Sequence, residues 1–122
     1  MTYRVLVCGG RNFNNADLVS KTLEALGQKP CTIIQGGASG ADQLAKQWAA
    51  FNRIHCITFY ANWAVHGKAA GPIRNREMLN EGKPDLVVAF EGGRGTANMV
   101  KQARESGVEV REITANKGTP NE

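Results

Sequence analysis

Long hydrophobic runs are missing from this chain of 122 residues. A membrane-spanning helix needs about 20 consecutive apolar residues. Runs such as Ile54 to Val65 are shorter and carry His55 and Asn62 within them, which excludes such a span. Arg4 is followed by only Val5 to Cys8 before glycine, so no secretory apolar region is expected and a cytoplasmic location is predicted. Cysteine is sparse and unpatterned. Cys8, Cys31 and Cys56 have no C-x-x-C spacing, and each falls in or beside a β-like run. They are expected to be buried free thiols rather than metal ligands or nucleophiles, and the missing disulfide framework fits a reducing compartment. Blocks of basic residues are missing too. Fifteen Lys and Arg against eleven Asp and Glu leave a net charge of +4, which suits an anionic ligand but does not by itself argue for a nucleic-acid duplex.

What is present is a core-forming composition, 42% apolar and 21% charged, in a chain sized for one domain. Strand-like runs rich in Val, Ile and Leu recur at Tyr3–Cys8, Cys31–Gln35, His55–Tyr60, Leu86–Phe90 and Val108–Ile113. Between them lie helical stripes, Leu18, Val19, Thr22, Leu23 and Leu26, then Ala41, Leu44, Ala45, Trp48 and Ala49. Further helices are expected within Ala69–Asn80 and within Ala97–Ser106, the latter ended by Gly107. A strand, a helix and two short loops take about 25 residues, so five βα repeats nearly exhaust the chain. The expectation is an α/β fold, a single Rossmann-like domain over residues 1–114 with an about five-stranded parallel sheet and helices on both faces. Residues 115–122 lack periodicity and are expected to form a flexible C-terminal tail.

Glycines cluster at the carboxyl ends of three strands, where such sheets bind ligands. Gly9-Gly10-Arg11 follows the first, Gly36-Gly37-Ala38-Ser39-Gly40 the second, and Gly92-Gly93-Arg94-Gly95-Thr96 the fourth. Three clusters that each open a helix are expected to gather bare N–H groups in one crevice, an arrangement suited to phosphate. No G-K-S/T follows any of them, and Gly36 to Gly40 lacks the strict dinucleotide fingerprint, so neither a Walker-type nor a standard nicotinamide site is supported. Ser39 and Asp42 fit a capping box at the second helix, and Asp42 could also accept ribose hydroxyls.

The segment from Trp63 to Met78 brings Trp63, His66, Lys68, Arg74 and Arg76 together after the third strand. A solvated helix face accounts for Arg76 and Glu77. It accounts less well for Trp63, His66 and Arg74, and an aromatic face for a base with cations for its phosphates is what a nucleotide site uses.

Taken in order, Gly9-Gly10-Arg11-Asn12-Phe13, Gly36 to Asp42, Trp63 with His66 to Asn75, Met78, Pro84-Asp85 and Gly92 to Thr96 resemble the YspA, cpYpsA-related SLOG family. The resemblance runs from the first strand to the fifth. It implies a Rossmann-like fold that binds nucleotide-derived ligands, ADP-ribose-like molecules included. Two relatives sharpen this. Arg74 to Met78 and Gly92 to Thr96 are similar to motifs of the cytokinin-activating phosphoribohydrolases, whose Arg and Glu act on an N-glycosidic bond, but Met99 occupies the glutamate position. A methionine cannot stabilise an oxocarbenium-like transition state or activate water. Arg74-Asn75-Arg76 resembles a segment of the DNA-processing protein A family, which loads single-stranded DNA. A single-strand groove needs stacking aromatics and strong positive charge, and eight aromatics, mostly in strand or helix patterns, with a charge of +4 weigh against nucleic acid.

The sequence therefore predicts a protein that binds a phosphorylated nucleoside or nucleotide-derived signal, ADP-ribose-like or cyclic-nucleotide-like, as sensor, carrier or sponge. Gly9, Gly10 and Arg11 would meet one phosphate and Gly92, Gly93, Gly95 and Thr96 another, with Lys68 and Arg74 neutralising charge and Trp63 or Phe13 packing on the base. Gly36, Gly37, Ala38, Gly40, Asp42, His66 and Asn75 complete the candidate set. No catalytic residue, metal or cofactor is called for. By analogy with helix-paired relatives, a homo-oligomer is expected. Nucleoside-monophosphate hydrolysis and single-stranded DNA binding are the alternatives.

Overall fold

Alternation of side chains along a strand sorts each run between two layers. In the computed structural model, which describes residues 2–114, β1 (Arg4–Cys8) sends Val5 and Val7 to one face and Leu6 and Cys8 to the other. β2 (Thr32–Gln35) and β4 (Leu86–Ala89) do likewise and are buried throughout. All pairings are parallel, in the order β3-β2-β1-β4-β5, with Val5 opposite both Ile33 and Leu86. The edge strands β3 (His55–Thr58) and β5 (Glu109–Glu112) are more exposed. Continuous apolar strands in the centre and polar ones at the rim are what a parallel sheet covered on both faces requires. The fold is thus the five-stranded Rossmann-like α/β architecture expected.

Helices α1 (Ala16–Glu24) and α2 (Ala41–Phe51) cover one face, where Val19, Leu23, Ala45 and Ala49 meet Val5, Ile33, Leu86 and Phe90. Helices α4 (Ala70–Gly82) and α5 (Arg94–Glu105) cover the other, where Met78, Leu79, Met99 and Ala103 meet Leu6, Ile34 and Val87. Burial of each Val, Leu, Ile, Met or Phe side chain here contributes about 1.5–3 kcal/mol, and each alanine less. Asn15 caps α1, its Oδ1 accepting from the Leu18 N–H at 3.0 Å.

Several boundaries differ from the sequence expectation. β3 stops at Thr58, releasing Phe59 and Tyr60 into the loop that follows. A four-residue helix α3 (Trp63–His66), capped by Asn62, and a 3-10 turn over Gly67–Ala69 precede α4, which runs on to Gly82. α5 begins at Arg94, three residues before Ala97, so Gly95 and Thr96 lie inside its first turn. The turns leading from a helix into the next strand share one device. Gly27, Arg53, Lys83 and Gly107 all have positive φ, and two of these are not glycine. The 115–122 tail lies outside the described residues. Among the described residues, no helix is long and apolar enough to cross a membrane.

Candidate functional site

Strand order reverses between β1 and β4, which opens a crevice at the carboxyl ends of the strands. A cleft of 930 Å³ lies there, within the range of small-molecule sites. Its walls are the β1 and β2 loops, α4 and the start of α5, with Tyr60, Ala61 and Trp63 at the rim beyond β3. Of the predicted residues it gathers Gly9, Gly10, Arg11, Gly36, Gly37, Ala38, Asp42, Trp63, Lys68, Arg74, Asn75, Gly93, Gly95 and Thr96. Phe13, Gly40, His66 and Gly92 lie outside it.

Each exclusion has a physical cause. Phe13 packs on Phe90 with ring centroids 5.1 Å apart and joins the α1/α2 core, because its loop turns back over β1 and β4. Gly40 is where the β1 and β2 loops cross. A Cβ there would strike the Gly10 carbonyl and lie 2.6 Å from the Arg11 carbonyl carbon, and its φ is +79°. Gly92 sits against the Thr96 side chain and the Gly10 nitrogen. His66 ends α3, exposed to solvent. The expected capping box is not formed either. Gly40 is the N-cap of α2 without a side-chain cap, and Ser39 Oγ donates instead to the Arg11 carbonyl at 3.3 Å.

The three glycine clusters do not offer their backbones equally. In the second, the Gly37 N–H donates to Gln35 Oε1 at 2.7 Å and the Ala38 N–H to Asp42 Oδ2 at 3.1 Å, while the Ala41 N–H bonds the Gly10 carbonyl. In the first, the Gly10 N–H is taken by the Glu91 carbonyl at 2.8 Å. The third is different. Among the described residues, the N–H groups of Gly93, Arg94, Gly95 and Thr96 have no hydrogen-bond partner, and the first turn of α5 holds no acidic side chain. Moreover, a Cβ added at Gly93 or Gly95 would meet nothing within 4 Å, and neither residue has a positive φ. Among the described residues the N–H groups of Gly9, Arg11, Ser39 and Gly40 are also without a partner, so bare N–H groups occur in all three clusters, but four run consecutively only in the third.

Arg74 and Asn75 tie these walls together. Arg74 Nη1 donates to the Gly36 carbonyl at 2.7 Å and Nε to Asn75 Oδ1 at 3.0 Å. A Cβ on Gly36 would run into that guanidinium. Buried Asn75 donates to the Gly95 carbonyl at 3.2 Å and to Asn98 Oδ1 at 3.1 Å, so α4 holds the first turn of α5 in place. Gln102 also donates to Asn98 Oδ1, at 2.7 Å. Burial lowers the Arg74 pKa from its ordinary value, with Asp42 opposing the shift.

Among the residues lining the cleft, Asp42 is the single carboxylate, against four cations, Arg11, Lys68, Arg74 and Arg94. Burial pushes its pKa up to about 6, against the Ala38 and Gly36 backbone donors and the Arg74 charge. Cys8 on the cleft floor is pushed up to about 12 by burial and by Asp42, so it stays a thiol. The expectation of buried cysteines holds for Cys8 only. Cys31, which precedes β2, is exposed, and Cys56, on the edge strand β3, is half-buried. Among the described residues, no group of three His, Cys, Asp or Glu could hold a metal.

Sequence reasoning missed Gln35, Tyr60, Arg94 and Asn98. Gln35 reads as the end of an apolar strand, yet it is fully buried and bonds Thr58 Oγ1 as well as Gly37. Tyr60 is 69% exposed, and its ring lies against Gly37 at the rim. Met99 is 1% exposed on the sheet-facing side of α5, so the neighbouring Asn98 is the one that reaches the cleft.

A family model described as "YspA, cpYpsA-related SLOG family" matches residues 3–66. The chain belongs to this family. The match takes in the first two glycine clusters and Trp63 and stops at His66, so the α4 segment and the third cluster lie beyond it. Gene 61 protein of Mycobacterium phage D29 is 36% identical over 118 residues, 88% of this chain and 93% of that protein. In structure, this SLOG-family chain is similar to DNA processing protein A from Streptococcus pneumoniae, with a TM-score of 0.77 over 96% of its length at 22% identity. The chain spans about half of that structure, 52%.

Proposed function

We propose that the protein binds a phosphorylated nucleoside or nucleotide-derived small molecule in the cleft, acting as sensor, carrier or sponge. One observation carries this reading. Four consecutive unpartnered N–H groups, Gly93 to Thr96, open a twelve-residue helix at the wall of a cleft whose charged lining is mostly cationic. A phosphate seated there would accept from those amides, with Arg11, Arg94 and Lys68 adding charge. Trp63, 60% exposed, and Tyr60 offer flat surfaces for a base. Asp42 is placed to accept ribose hydroxyls.

Native mass spectrometry of protein purified from cells reads any retained ligand by its mass. Titration with AMP then tests the site, with affinity changing only modestly between low and physiological salt, because one or two phosphates displace few counterions. Absence of binding by any nucleotide overturns the proposal. The similar structure is named for DNA processing. Nanomolar oligo-dT binding with a steep salt slope, not displaced by nucleotides, would replace small-molecule binding with single-strand binding. For hydrolysis, Met99 in the core and an amide at Asn98 leave the α5 side of the cleft without a carboxylate. We expect no release of base from AMP at enzymatic rates, and release abolished by Arg74→Ala would overturn that.

A further inference from the structure

The polar contact between α4 and α5 is a chain of amides with a fixed direction. Arg74 Nε donates to Asn75 Oδ1 at 3.0 Å, and a guanidinium can only donate, so Asn75 must turn its Nδ2 the other way. That nitrogen donates to the Gly95 carbonyl at 3.2 Å and to Asn98 Oδ1 at 3.1 Å. From the far side, Gln102 Nε2 donates to the Pro72 carbonyl at 3.1 Å and to the same Asn98 Oδ1 at 2.7 Å. Both backbone carbonyls only accept, so neither Asn75 nor Gln102 can be reversed. Asn98 is thereby held with its oxygen in the helix contact, because the opposite orientation would set its Nδ2 against two other donors. Among the described residues Asn98 Nδ2 has no partner, yet it is not sealed from solvent, since the one buried side-chain nitrogen or oxygen without a partner there is Trp48 Nε1. Asn98 lines the cleft.

We infer that Asn98 binds the ligand directly, its Nδ2 donating to an oxygen of the nucleotide, and that this point of the cleft reads hydrogen-bond acceptors only. The inference rests on the function proposed above and deepens it. A freely rotating asparagine would serve a donor or an acceptor equally. Here a ligand N–H would meet N–H groups that cannot turn round, and an unpaired polar contact of that kind is a strong basis for rejection. Arg74, besides lining the cleft, is the positioning residue that sets this direction through Asn75.

Side-chain amide hydrogen exchange, followed by NMR on the intact wild-type protein, tests the direction without a ligand. The Asn75 amide hydrogens should exchange about tenfold or more slowly relative to those of Asn98. Equal rates, or the reverse order, overturn the inference. Saturation with AMP should then slow the Asn98 amide hydrogens, and no slowing overturns the contact. Calorimetric titration with AMP and adenosine supplies the second arm. Asn98→Asp keeps an acceptor for Asn75 and Gln102 but replaces the cleft-side donor by an oxygen, so AMP affinity should fall at least about tenfold with little change in melting temperature. Ala97→Asp adds the same charge at the neighbouring exposed position, outside the cleft lining, and should change AMP affinity by less than about threefold. An equal loss of adenosine affinity in Asn98→Asp puts the accepting oxygen on the nucleoside, and a smaller loss or none puts it on the phosphate. Asn98→Asp binding AMP as the wild type does, or Ala97→Asp losing as much, overturns the contact and leaves the proposed function standing. Failure of the wild type to bind AMP or any other nucleotide overturns both.

Discussion

The loops Gly36–Gly40 and Gly92–Thr96 look alike in sequence, each glycine-rich and each leading from a buried strand into a helix. Folding separates them. In the first, Gln35 and Asp42 take the Gly37 and Ala38 donors and the β1 loop takes the Ala41 donor that follows, while the glycines allow Arg74 and the β1 loop to come close. In the second, the donors stay unpartnered, and open space surrounds Gly93 and Gly95. Neither backbone angle nor packing requires glycine at Gly93 or Gly95, and both stand beside free amides, which is where the proposed phosphate would sit. The first loop holds the site together, and the second is where a ligand would be held.

This contrast can be broken most severely at Gly40. Gly40→Val combines a positive φ with a clash against the β1 loop, so chemical denaturation should show a loss on the order of 3 kcal/mol or more. A loss below about 1 kcal/mol would show that the loops do not depend on that close approach.

Acid titration probes the same loop through Asp42. Its folded pKa of about 6 lies above the ordinary 3.8, so the folded state binds the proton more tightly than the unfolded chain. The resulting stability is fully present below about pH 4 and is lost as pH rises to about 6, with a size on the order of 3 kcal/mol. Denaturation curves between these limits should lose that slope in Asp42→Asn. An unchanged slope would place the titration elsewhere.

Gly95→Ala sharpens the contrast from the other side. Alanine at this exposed position in the first turn of α5 should raise stability by up to about 1 kcal/mol, while its methyl group at the wall of the cleft weakens AMP binding. Opposite signs in melting and in titration mark a glycine kept for function. A variant that gains stability and binds normally would return the third cluster to a purely structural role.

The smallest effect belongs to Lys68. It lines the cleft but is solvent-exposed, so Lys68→Ala should cost AMP affinity under about 1 kcal/mol, fading at high salt, with an unchanged melting temperature. Arg74→Ala should differ by lowering stability as well, because that guanidinium bridges Gly36 and Asn75.

The succession of strands and helices, the helix faces and the glycine positions were legible because each follows from local periodicity and from the conformations that turns demand. Which amides remain free was not, since it depends on how Gln35 and Asp42 turn back onto the loop once the strand has stopped. Phe13 was misread for a related reason. Nothing local announces that a loop aromatic will find Phe90, 77 positions later in the sequence, as its neighbour. Met99 is another matter. With Val100 and Ala103 it forms the buried stripe of α5, a spacing visible in the sequence that turns Met99 to the sheet rather than the cleft.

The left-handed residues at the helix exits bear on how this protein could be altered. Arg53 and Lys83 hold positive φ at the end of the sheet opposite the cleft. A glycine in either place relieves a conformational cost of roughly 1 kcal/mol, partly offset by greater freedom of the unfolded chain. Because parallel strands send every turn of this kind to one pole and every ligand-facing loop to the other, robustness can be raised at one pole while recognition is rewritten at the other. The two properties can be varied as separate design coordinates within one small chain.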